Sequence, residues 1–114
     1  MQSSIPDDVR NFIHRHITSV EQVDILLLLR ETASRWWSAP EVARSLRGNP
    51  DSVGRRLEQL RANSFVVSGP HGYRYGPATD RLARDVAELA DVYARRRHTV
   101  ITTIFSDHDG PAPA

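Results

Sequence analysis

Ser52, Arg55, Arg56, Gln59 and Arg61 lie off the apolar stripe that Val53, Leu57 and Leu60 form at i, i+4 and i+7. On a helix of that register they face outward. Guanidinium, hydroxyl and amide groups in this arrangement suit recognition rather than bond breaking. Arg, Ser and Gln all contact phosphate oxygens, Arg also pairs with guanine, and Gln with adenine. Arg44 and Arg47 just before this segment, and His71 and Arg74 just after it, extend the same chemistry.

Little else in the chain could do chemistry. With no cysteine, disulfides, thiol catalysis and cysteine zinc sites are excluded. His14 and His16 are two apart, about 200° around a helix, and do not converge on a metal. There is no Gly-rich phosphate loop, nucleophile elbow or zincin pattern. The expectation is a non-enzyme with no cofactor and no metal site.

The chain has 114 residues and a net charge of +1, and all fifteen of its basic residues are arginine. That usage is read as a GC-rich coding sequence rather than as a function. The length suits one domain. The distribution of charge matters more than its total: residues 38–76 carry six arginines against three acids, while residues 1–37 and 77–114 each carry one excess acid. The surplus sits on the segment that carries the candidate contacts. No signal peptide is expected, and the longest apolar run, Ile25 to Leu29, is too short to cross a bilayer. A cytoplasmic protein with no membrane partner is expected.

Several elements must position those side chains. Ser38-Ala39-Pro40-Glu41 is a capping box that starts a helix near Ala39. Val42, Ala43 and Leu46 share one face of it, Glu41, Arg44 and Arg47 face away, and Gly48 is expected to close it in the left-handed conformation. Asn49 as cap and Pro50 at the first helical position start a second helix after a turn of about three residues, running to Asn63. Gly54 inside it costs about 1 kcal/mol relative to alanine, a cost that a close approach to DNA or to a neighbouring helix would justify. Phe65-Val66-Val67 and Tyr73-Arg74-Tyr75 then read as short strands around Ser68-Gly69-Pro70-His71-Gly72, with Trp36-Trp37 as a short third strand.

The flanks are helical. Pro6 to His16 carries Ile5, Val9, Phe12, Ile13 and Ile17 at helical spacing. A second helix from Ser19, with Gln22 completing a Ser-x-x-Gln box, runs to about Thr32 and should be buried nearly all round. Residues 79–105 read as one long helix with room for a break near Arg95-Arg96-Arg97. Its seam of Leu82, Val86, Leu89 and Tyr93 and its terminal cluster of Val100, Ile101, Ile104 and Phe105 are expected to form a homodimer interface, with the arginines as a solvated collar at its edge. The competing reading packs that cluster on residues 5–17 of the same chain. The tail from Asp107 is expected to be disordered.

This order of elements resembles the winged helix-turn-helix transcriptional regulators of the MarR type and their relatives. The resemblance spans residues 19–105 and rests on Val23 to Leu29, Trp37 to Leu46 and Val53 to Leu60. It implies a mainly α fold with a small β-hairpin wing (α+β): an N-terminal helix over residues 1–18, the winged domain over 19–76, a dimerisation helix over 77–106 and a tail over 107–114. It implies a dimeric bacterial regulator that binds double-stranded DNA, with the helix over residues 50–63 in the major groove and the wing over 65–75 on the backbone or minor groove. The chain is shorter than typical MarR regulators and lacks the cysteines of metal and redox sensors, so no sensor role carries over. Two alternatives stay open. One is a winged helix that binds protein instead of DNA; the other adds a small-molecule effector bound by Trp36, Trp37, Tyr73, Tyr75 and Tyr93.

Overall fold

The computed structural model describes residues 5–108; the last six residues of the expected tail lie outside this range. Among the described residues there are six helices and one antiparallel sheet of two strands: α1 (Asp7–His16), α2 (Val20–Glu31), α3 (Ala39–Leu46), α4 (Pro50–Ala62), β1 (Val66–Gly69), β2 (Gly72–Tyr75), α5 (Asp80–Arg95) and α6 (Arg97–His108). The chain is thus mainly helical with a small hairpin, and no described helix is long and apolar enough to cross a membrane. It divides into two compact units, residues 21–83 and a second unit that joins α1 with most of α5 and with α6.

Within residues 21–83 the local signals act as their chemistry requires. The Glu41 N–H donates to Ser38 Oγ at 3.2 Å and the Ser38 N–H to Glu41 Oε1 at 2.8 Å, which closes the capping box. Asn49 Oδ1 accepts from the N–H groups of Asp51 and Ser52 at 2.8 and 3.2 Å. Val42, Ala43, Val53, Leu57 and Leu60 are buried, as are Val23, Ile25, Leu26 and Leu29 of α2. Leu27 and Leu28 keep partial exposure, so α2 is enclosed on most of its circumference but not all of it.

The end of α3 departs from expectation. The left-handed residue is Arg47, at φ 59° and ψ 40°, and not Gly48. The Gly48 N–H instead closes the turn by donating to Ala43 O at 2.8 Å. Gly48 leaves room of a different kind: a Cβ there would stand 3.3 Å from Glu21 Oε2 and 3.4 Å from Val53 Cγ2, tight enough to press on both side chains. Gly54 has no such constraint, since a Cβ would meet Ala39 Cβ at an ordinary 3.9 Å. No neighbouring helix comes close enough to need a glycine there.

The hairpin is tighter than the sequence predicts. Its strands meet at Pro70-His71, with Val66 opposite Tyr75 and Gly69 opposite Gly72. The expected third strand shrinks to one residue, Trp37, which exchanges two hydrogen bonds of 2.7 Å with Tyr73. Gly72, at φ +118°, makes this possible, because a Cβ there would lie 2.1 Å from Trp37 O. Phe65, fully buried, precedes β1 rather than joining it.

The second unit corrects the C-terminal reading. The expected long helix is interrupted at Arg96, within the arginine run, and α6 packs on α1. Val9, Phe12, Ile13, Val100 and Ile104 are all buried. Val86, Leu89 and Tyr93 of α5 are buried as well, so most of the seam assigned to a second subunit is covered in the single chain. Leu82 and Ile101 keep partial exposure, and Phe105 is 53% exposed. The physical reason is the break: it redirects α6, and its apolar side chains meet those of α1 instead of continuing a straight seam.

Candidate nucleic-acid interface

The candidate contacts all belong to residues 21–83, carried by α3, the three-residue turn, α4 and the hairpin. Arg44, Arg47, Arg55, Arg61 and His71 are exposed, while Ser52, Arg56, Gln59 and Arg74 are partly buried. The capping box fixes where α3 starts, and Asn49 with Pro50 fixes where α4 starts. These local bonds therefore set the angular positions of Arg44 on one helix and Arg55 on the other.

Carboxylates hold both ends of α4. At its start, the Ser52 hydroxyl donates to Glu21 Oε1 at 2.5 Å, and Arg56 Nε donates to the same oxygen at 3.3 Å. Glu21 stands in the first turn of α2, and its clearance over the α3–α4 turn is provided by Gly48. At the other end, Glu58 accepts from Arg61 Nε at 3.0 Å and from the Tyr73 hydroxyl at 2.5 Å. The Tyr73 and Arg61 hydrogen bonds hold the Glu58 carboxyl below its ordinary pKa. Burial, reinforced by Glu58, pushes the Tyr73 phenol above its own. Tyr73 thereby ties β2 to α4 through its hydroxyl while its backbone pairs with Trp37.

Ser52, Arg56 and Arg61, outward-facing as their register predicts, are therefore occupied by protein carboxylates. Gln59 differs as well: its Oε1 is enclosed and has no hydrogen-bond partner among the described residues, so this acceptor is not offered to a base edge. Arg47 and Arg55 remain exposed with no ion pair among the described residues. Arg44 is also exposed, and its charge helps to lower the Glu41 pKa, although the Ser38 backbone N–H is the larger cause.

The tryptophans take opposite roles. Trp37 is buried, donates from Nε1 to Thr32 Oγ1 at 2.9 Å and is covered by the Arg35 guanidinium 3.7 Å from its ring centroid. Trp36 is partly exposed, and the Arg74 guanidinium stands 4.6 Å from its ring centroid. A Cβ on Gly69 would come within 3.0 Å of the same ring, so the absent side chain gives Trp36 its place beside the hairpin. Arg74 is thus pre-positioned by cation–π attraction at the base of the turn that displays His71. The aromatic residues considered for an effector are engaged in packing: Tyr73 with Glu58, Tyr75 buried enough to raise its pKa, and Tyr93 under the Arg97 guanidinium at 4.8 Å.

Sequence reasoning missed Glu21, Glu58 and Tyr73 as parts of this surface. The i, i+3 spacing of Glu58 and Arg61 was a usable signal. Glu21 gives none, since it is 31 residues from Ser52 and meets it only through the fold. Comparison with protein-family models, with curated proteins and with solved structures finds no match to this chain.

Proposed function

We propose that residues 21–83 form a winged helix-turn-helix that binds double-stranded DNA as a bacterial transcriptional regulator in the cytoplasm, with α4 in the major groove and the β1–β2 hairpin on the backbone or minor groove. One observation carries this reading. Two capped helices with a three-residue turn between them display Arg47 and Arg55 without ion pairs, and a hairpin tied to the second helix brings Arg74 and His71 alongside. A regulator reading two half-sites needs a second copy. On α6 the apolar surface left to it is Ile101 and Phe105 rather than the whole seam, and an unchanged oligomer mass for Phe105→Glu would remove this interface.

Anisotropy of labelled duplexes across a salt series tests the reading. Binding that weakens steeply with salt is expected, since each phosphate contact contributes about 0.9 to the slope of log affinity against log salt. Arg55→Ala combined with Arg56→Ala should abolish retardation of a duplex while leaving folding intact. A protein-interaction module remains the second reading, favoured by the carboxylates that hold Arg56 and Arg61. Absence of duplex binding at low salt would count heavily against the first reading.

A further inference from the structure

We infer that Glu21 is a specificity-determining residue of the DNA surface: it holds Arg56 and Ser52 on the protein and so limits phosphate contacts that any duplex could satisfy. The inference rests on the DNA reading above and deepens it. Glu21 and Arg56 are both partly accessible, with side-chain exposures of 28% and 27%, so the pair is open to exchange with solvent anions. One oxygen, Oε1, takes both Ser52 and Arg56, while Oε2 lies over Gly48. A single carboxylate thus reaches from α2 to the turn and to the start of α4, with Gly48 presenting no side chain against it.

The consequence follows from what each kind of contact contributes. Phosphate contacts strengthen binding to every sequence equally, whereas base contacts discriminate. A guanidinium held by a protein acid contributes less to the first class. Arg55, one position away and exposed, keeps its full charge for DNA. Competition between Glu21 and a phosphate for Arg56 therefore lowers non-specific affinity.

Glu21→Gln keeps the shape and an acceptor for Ser52 while removing the charge. On a mixed-sequence duplex it should bind roughly threefold tighter than wild type near physiological salt, with a salt slope steeper by about 0.9, the signature of one added phosphate contact. In an Arg56→Ala background the same substitution should leave the slope unchanged. A purely structural Glu21 would give the opposite result, weaker binding and a lower melting temperature, and would overturn the inference. So would a gain that persists without Arg56, because repulsion alone would then explain it. Should Glu21→Gln fail to fold, Ser52→Ala, which releases one of the two partners, should still tighten the Glu21–Arg56 pair and lower the slope; an unchanged slope counts against us. Wild-type binding with no gain in any variant defeats this inference alone, whereas absence of all duplex binding defeats the DNA reading and this inference with it.

Discussion

The two ends of α4 are held by the same chemistry over very different reaches. At the end, Glu58 and Arg61 are three residues apart and Tyr73 follows fifteen residues after Glu58. At the start, Glu21 spans 31 residues to Ser52 and 35 to Arg56. The near clamp orients the hairpin against the helix, and the far one orients α4 against α2. Arg55 is held by neither. A count of arginines therefore overstates the charge this surface offers, because availability depends on which carboxylate each guanidinium has already met.

The most severe way to break the hairpin clamp is Gly72→Ala. The positive φ and the 2.1 Å approach to Trp37 O leave no room for a Cβ. We expect a loss of roughly 3 kcal/mol or more by chemical denaturation, from backbone strain and the lost Trp37–Tyr73 pair. Near-wild-type stability would mean the bridge adds nothing to the fold.

Next in size is the contrast between held and unheld arginines. Arg47→Ala with Arg55→Ala should reduce the salt slope by about 2, and Arg56→Ala with Arg61→Ala by clearly less, in the same anisotropy titration. Equal losses would erase the distinction drawn here.

Smaller effects separate stability from recognition. Gly54→Ala should raise stability by about 1 kcal/mol through helix propensity, as the space is open. Arg47→Gly should raise it by a similar amount, about 1 kcal/mol, by relieving a left-handed non-glycine residue. It should also weaken duplex binding. A more stable Arg47→Gly protein with unaltered affinity would show that Arg47 has no role in recognition.

The smallest effect is the titration of the near clamp. The Glu58 pKa is depressed, so its contribution to stability is complete above the ordinary carboxylate range and is lost as pH falls through the depressed value. The Tyr73 pKa is raised, so its contribution is complete below its ordinary 10.0 and is lost as pH rises through the raised value. Tyr73→Phe should move the Glu58 carboxyl upward in a carbon-detected NMR titration. No movement would leave Arg61 as the only partner that matters.

Local signals in the sequence proved readable. The Ser38–Glu41 box, the Asn49-Pro50 start, the stripe of Val53, Leu57 and Leu60 and the hairpin all depend on residues a few positions apart. What escaped depends on partners far along the chain. Arg47 rather than Gly48 adopts the left-handed conformation, and Gly48 instead lies close under Glu21, a contact that no local rule foretells. A short seam such as Val86, Leu89 and Val100 reads equally well as an interface or as a core, and the break at Arg96 decides it. The third strand was visible as a pair of tryptophans, but its length depends on how much of β2 is left to pair.

That pair of tryptophans has an optical consequence. Adjacent residues on an extended segment point to opposite faces, so one indole is sealed in the interior beside Thr32 and the other is partly exposed beside Arg74. The chain therefore carries two fluorophores with separable emission, a blue-shifted one that reports on unfolding and a quencher-accessible one that reports on whatever docks at the hairpin. Acrylamide should extinguish Trp36 first, and a bound duplex should protect it while leaving the Trp37 signal unchanged.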